Sequence, residues 1–315
     1  MPVHTCGPAQ RRLLGRLAWS ALRAAHESRV DVWVGPHLAR RQDGVTHPVE
    51  DFLFTYYSQR PAALRRWHPG YGVVLDDAEE YLSVKGYARV STSTTGDGPP
   101  TETSSTIGDG PTGVAVSREH VRSQGPLLDT LHRLLDATAA RPAQLGCFGM
   151  HEWTMVYRLD QDQVRHADRP LRLGTAGTDA VVESHRVACS HFDAFRFFTD
   201  EARPLNVLQP ASADRAAFEQ PGCLHAGMDL YKHAYRLTPL VCSELVADCF
   251  ELARDIRVLD MRASPYDLSD LGHSPVRVET PAGKQEYVAA QRAFAERGAP
   301  LRQRLVAECE RLLAV

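Results

Sequence analysis

The most constraining feature of this chain is long-range helical periodicity without a regular alternation of strand and helix. Leu13, Leu14, Leu17, Leu22, Val30, Val32 and Val34 recur among arginines and predict a helix over 9–42, with Pro36 as its breaker. Leu127, Leu128, Leu131, Leu134 and Leu135 mark one face of a helix over 118–140. Further helices are expected over 48–58, 61–67, 214–219, 224–235, 243–259, 284–297 and 300–312. At the first of these, Pro48 fits the opening turn, and Glu50 and Asp51 complement the helix N-terminus.

Strand signals are short. Residues 72–76 and 81–90 alternate around an acidic turn and predict a hairpin. Residues 171–173, 180–182 and 186–189 are expected as short strands, and 146–158 suits either state. Segment 91–113 is almost entirely Ser, Thr, Gly, Pro and Asp, with Gly-Asp-Gly-Pro at 96–99 and again at 108–111. It holds too little apolar surface to bury a core and is expected to be a disordered loop. The fold class is therefore α+β, predominantly α-helical, with short strands, a hairpin and one disordered loop. A single globular domain over 1–315 is expected. A doubly wound parallel sheet is excluded, and neither G-x-G-x-x-G nor a P-loop occurs.

Composition narrows the function classes. With 43% hydrophobic and 24% charged residues over 315 positions, the chain buries a core without disulfides or structural metal. A net charge of −3 argues against a wholly basic nucleic-acid-binding surface. Apart from Lys85, Lys232 and Lys284, the basic side chains are all arginine. Guanidinium suits phosphate and carboxylate recognition, although a GC-rich coding sequence is the simpler source of the bias. The seven cysteines are odd in number, widely spaced and free of C-x-x-C, which excludes a disulfide framework and a four-cysteine zinc site. No signal core is visible, and no apolar run approaches the ~20 residues that span a bilayer, so a cytoplasmic protein without membrane attachment is expected.

Four segments place His, Asp or Glu beside aromatic residues. They are His47 to Tyr57 with Asp51, Cys147 to Trp153 with His151 and Glu152, Ser190 to Phe198 with His191 and Asp193, and His225 to His233 with Asp229. On a helix 225, 229 and 233 form one stripe. On a strand 191 and 193 share a face. Such sets can ligate Zn, Fe or Mn, or orient a histidine as a general base. A lone His–Asp pair is more often structural, but four such segments in one chain favour a site. Cys189 is expected to be a buried thiol rather than a nucleophile, His233 is as readily a surface residue, and His68 is expected in a turn.

His-Pro-Val-Glu-Asp-Phe-Leu-Phe-Thr-Tyr-Tyr at 47–57, Arg-Arg-Trp-His-Pro-Gly at 65–70, Cys-Phe-Gly-Met-His-Glu-Trp at 147–153, Ser-His-Phe-Asp-Ala-Phe-Arg-Phe-Phe at 190–198 and Asp-Met-Arg-Ala-Ser-Pro-Tyr-Asp at 260–267 resemble an actinobacterial family commonly named 3-methyladenine DNA glycosylase. The resemblance covers most of the chain outside 91–113. It implies hydrolysis of the glycosidic bond of alkylated bases in DNA, with no cofactor. Asp193, Asp229 or Glu152 would then be catalytic. Tyr56, Tyr57, Trp153, Arg196 and Tyr231 would bind the flipped base, and Arg60, Arg65 and Arg66 would contact phosphate. Trp-His-Pro-Gly-Tyr-Gly at 67–72 faintly resembles the hairpin of helix-hairpin-helix glycosylases, but the strand-like 73–90 follows it instead of a helix.

The residues themselves suggest an alternative from a different class. This is a metal-dependent enzyme, of the non-haem iron oxygenase kind, acting on a small molecule. His47, His151, His191 and His225 would supply ligands to Fe, Mn or Zn, with Glu152 and Asp229 in the same pool.

Overall fold

The computed structural model describes residues 12–91 and 112–315. It contains twelve α-helices and one small sheet among those residues. The helices are α1 (Arg16–Gln42), α2 (Phe52–Tyr56), α3 (Pro61–Arg65), α4 (Arg118–Ser123), α5 (Gly125–Ala139), α6 (Met150–Thr154), α7 (Gly174–Glu183), α8 (Phe192–Phe195), α9 (Arg215–Phe218), α10 (Leu224–Arg236), α11 (Ser243–Arg262) and α12 (Pro281–Leu313). The strands are β1 (Arg12–Leu14), β2 (Val73–Leu75), β3 (Tyr87–Ser91) and β4 (Thr112–Val116). The α+β, mostly helical class is as expected.

At the centre α10 packs along α11, and both rest on α12, which also carries α5. Helix α10 is buried nearly all round, with Met228, Leu230, Tyr231 and Ala234 fully enclosed. Each large apolar side chain there contributes about 1.5–3 kcal/mol of transfer free energy. Close approach of α10 and α11 depends on Gly227, where a Cβ would lie 2.7 Å from Ile256 Cδ1. A smaller apolar cluster of Val49, Val156, Val164, Leu171, Met261, Tyr266 and Leu268 lies at the far end of α11.

Several local expectations are corrected. Helix α1 begins only after β1, and Pro36 does not break it. Its buried stripe is Trp19, His26, Val30, Val34 and His37, whereas Leu17 and Val32 face solvent. Pro36 is also exposed, so the carbonyl it leaves unpaired meets water. For the same reason 284–297 and 300–312 are one helix, α12, running through an exposed Pro300. The expected hairpin does not form. Strands β2 and β3 each pair antiparallel with β4, which lies between them, and β1 adds parallel to β2. The disordered loop expected over 91–113 lies outside the described residues except at its ends, where Ser91, Thr112 and Gly113 belong to strands.

Residues 180–182 are helical, because Thr178, Val181 and Val182 bury the i, i+3, i+4 stripe of α7. Leu171 makes only an isolated bridge to Tyr266, and 186–189 joins no strand. Segment 190–198 forms the short helix α8, not a strand, so His191 and Asp193 do not share a face by alternation. No helix among the described residues is long and apolar enough to cross a membrane.

Candidate active site

Three of the four histidine segments converge, and one does not. His47 accepts hydrogen bonds at Nδ1 from the amides of Val49 and Glu50, which makes it the cap of its own turn. Asp51 accepts from Arg40, from the His47 amide and from His37 in a closed local clamp. His47 therefore leaves the ligand pool. Its ring neighbour is His273, 6.1 Å away.

His151 is delivered by α6. Phe148 and Gly149 both adopt positive φ, +46° and +70°, and turn the chain sharply into that helix. Glycine is suited to this conformation, whereas a phenylalanine there is strained. His225 stands in the first turn of α10, and Asp260 in the last turns of α11. The ligand-capable atoms of His151, His225 and Asp260 all lie within 4.8 Å of one another. The His151 and His225 rings meet edge to face at 4.4 Å, and His191 stacks obliquely at 5.4 Å beyond His225.

The three members differ in what already holds them. His151 Nε2 and Asp260 Oδ1 are 2.9 Å apart, and Arg257 donates to Asp260 Oδ2 at 2.9 Å and to Glu152 at 3.1 Å. Burial opposes charge on His151, but the Asp260 carboxylate outweighs it and holds the imidazole above its ordinary value. Burial, reinforced by charge on His151, pushes His225 well below its ordinary value. His225 is thus a neutral imidazole. It is 8% exposed and forms no hydrogen bond among the described residues.

One turn further along α10, Asp229 is fully engaged. It accepts from Tyr57 at 2.9 Å, from Arg215 at 2.8 Å and from Lys232 at 2.5 Å. Lys232 also bridges to Asp193 at 2.9 Å, and Arg215 reaches Glu219 at 2.6 Å. Burial opposes the Asp229 charge, yet Lys232 and His191 keep its carboxyl well below the usual range. His191 Nε2 sits 3.4 Å from Asp229 and 3.5 Å from Glu219 without hydrogen-bond geometry to either.

The remaining candidates are structural in their contacts. Trp153 is buried, donates to the Ala263 carbonyl at 2.9 Å and lies beneath Arg172. Tyr231 is enclosed by Tyr57, Tyr235 and Phe250. Tyr56 stacks on Phe52, and Arg196 covers Phe197. Arg65 is paired with Asp31. His68, expected in a turn, is buried and bonds the Tyr87 hydroxyl, and the amide of Tyr71 next to it is used by the Leu240 carbonyl. His233, weighed as a surface residue, is buried, and desolvation pushes it down to about 3.

A cavity of about 570 Å³ opens on the His151–His225 edge. Its lining includes Cys147, Cys189 and Cys223, all free thiols, together with Met150, Val187, Leu208, Phe218, Leu224 and Tyr287. Burial pushes the Cys189 thiol up to about 12, which makes it a protonated wall and not a nucleophile. His191, Asp193 and Asp229 do not line this cavity.

Arg257 and Tyr287 were not singled out in the sequence, and Asp260 entered only as the first residue of the 260–267 motif, without a role. The available signal was Arg257-x-x-Asp260 on a helix otherwise rich in Leu, Ala and Ile, an i, i+3 charged pair on a face that must be buried. Comparison with protein-family models, with curated proteins and with solved structures finds no match in any of the three.

Proposed function

We propose that the chain is a mononuclear metal-dependent enzyme acting on a small molecule, with the ion held by His151, His225 and Asp260. The observation that carries this is His225, a buried neutral imidazole with no hydrogen bond, beside a second histidine and a carboxylate at the edge of a cavity. The His225 ring meets the cavity with no protein partner, and a cation is the partner that two imidazoles and a carboxylate would share. Two histidines and one carboxylate with an open side are the ligand set of non-haem Fe(II) enzymes, and Mn or Zn are the other ions it suits. Bound there, the ion would supply a Lewis-acidic centre facing the cavity.

The chain's own residues prepare that centre. Arg257 fixes Asp260 through Oδ2 and leaves Oδ1 toward His151. Such outer hydrogen bonds orient ligands and tune their basicity. Ligand atoms around an ion at about 2.1 Å sit roughly 3–3.5 Å apart, so His151 and Asp260 already stand at ligand spacing, and binding would replace their hydrogen bond and draw His225 inward. Cavity walls of thiol, thioether and aliphatic groups would exclude bulk water from the reacting end.

The geometry lends less to glycosidic hydrolysis, the reaction implied by the family resemblance. Of its nominated carboxylates, Asp193 and Asp229 are occupied by Lys232 and Arg215 and Glu152 by Arg257, and none of the three lines the cavity. Elemental mass spectrometry on protein purified without a metal-affinity tag tests the proposal. About one equivalent of Fe, Mn or Zn, lost in His225→Gln, is expected. Metal-free protein whose melting temperature ignores all three ions would reject it and leave His151 and Asp260 as an acid/base pair.

A further inference from the structure

The cavity beside the histidines is asymmetric in charge. Among the described residues its lining includes two guanidinium groups, Arg141 and Arg186, and no carboxylate. Arg186 is exposed and forms no hydrogen bond or ion pair among those residues. Arg141 donates through one nitrogen to the carbonyls of Ala137 and Glu219, at 3.1 and 3.0 Å, and has no acidic partner. Other arginines of the chain are neutralised by acids, as in Arg172 with Glu279, Arg304 with Asp248 and Arg297 with Asp255. A protein with more acidic than basic side chains has nonetheless left this cavity positive.

Beside the histidines the wall carries thiol, thioether and aliphatic side chains. Guanidinium recognises carboxylate through paired, charge-assisted hydrogen bonds, and in a partly desolvated pocket these set orientation as well as affinity. The volume is that of an ordinary small-molecule site.

We propose that the substrate is a small carboxylate-bearing molecule with an apolar body. Its carboxylate is taken by Arg141 and Arg186, and its body lies along the aliphatic and thiol wall. This rests on the cavity being the substrate site of the proposed enzyme, but not on the metal being bound.

The test is calorimetric titration of the full chain after chelation of metal, with octanoate against octanol and phenylacetate against phenylethanol. At least one carboxylate is expected to bind about tenfold or more tighter than its alcohol. The Arg141→Gln/Arg186→Gln variant should lose that preference and keep its affinity for the alcohol. Arg186→Gln alone should weaken the preference, and it serves where the double variant fails to fold. His225→Gln should keep the preference, which separates this proposal from the metal centre. Equal affinity for acid and alcohol, a preference that survives the arginine substitutions, or no binding of any of the four probes would overturn it.

Discussion

His225 and Asp229 stand one turn apart on the same buried helix and face opposite situations. Asp229 is saturated by Tyr57, Arg215 and Lys232, and the acids around it are matched by cations. His225 forms no hydrogen bond and borders a cavity. A buried charge cluster whose members satisfy one another is held by the fold and holds it in return. An imidazole that meets a cavity without a protein partner is available to a ligand. On this contrast the first cluster is the frame and the second is the working site, although both carry the same residue types.

The contrast breaks most visibly if Asp229 is removed. Asp229→Asn leaves Lys232 and Arg215 short of a buried counter-charge and should cost about 3–5 kcal/mol in urea unfolding. His225→Gln, nearly volume-conserving and breaking no hydrogen bond, should cost under about 1.5 kcal/mol. Equal losses at the two positions would erase the distinction.

Metal should separate them in the opposite sense. At a hundredfold excess over its dissociation constant, Fe(II) under anaerobic conditions or Zn(II) should add about 2.7 kcal/mol of stability to the parent chain and almost none to His225→Gln. A thermal shift that persists in the variant would place the ion elsewhere.

A third cluster sharpens the satisfied class. Burial opposes charge on Asp51, but Arg40, His37 and the His47 amide outweigh it and hold the carboxyl below its ordinary value. The folded value lies below the unfolded one, so this contribution is complete above about pH 4 and is lost as pH falls through the folded value. Asp51→Asn should cost about 1.5–3 kcal/mol at neutral pH and flatten the acid side of the stability profile. A profile between about pH 5 and 2 that keeps its slope in the variant would mean that Asp51 does not titrate on unfolding. The smallest effect is expected at His233, two turns from His225 on the same stripe. His233→Leu should leave metal content unchanged and stability within about 1 kcal/mol, since a buried neutral imidazole is exchanged for an apolar side chain.

Helix positions were legible wherever the apolar stripe was regular. The leucines of 127–135 give α5 and its buried face directly. Periodicity misled where the buried stripe included histidine: in α1 the inward positions are Trp19, His26, Val30, Val34 and His37, and counting aliphatics alone selects Leu17 and Val32, which face water. Sheet topology was hidden because β4 follows a stretch of low complexity, and a strand that inserts between two others leaves no local sign of where it goes. In the site, His151, His191 and His225 were visible as residue types, and their convergence came from the packing of α6, α8 and α10. Asp260 was quoted in the 260–267 motif but not assigned to the site, because it lies away from every histidine segment, on α11. What distinguishes it from Asp229 is its neighbours in space, and neither spacing nor composition carries that information.

The most direct test of the metal centre is X-ray absorption at the iron edge of the Fe(II)-loaded protein. The account predicts imidazole scattering from two histidines and a carboxylate oxygen, all near 2.1 Å, with no sulfur shell. Sulfur at about 2.3 Å would move the ion to the cavity thiols Cys147, Cys189 and Cys223 and contradict the assignment to His151, His225 and Asp260.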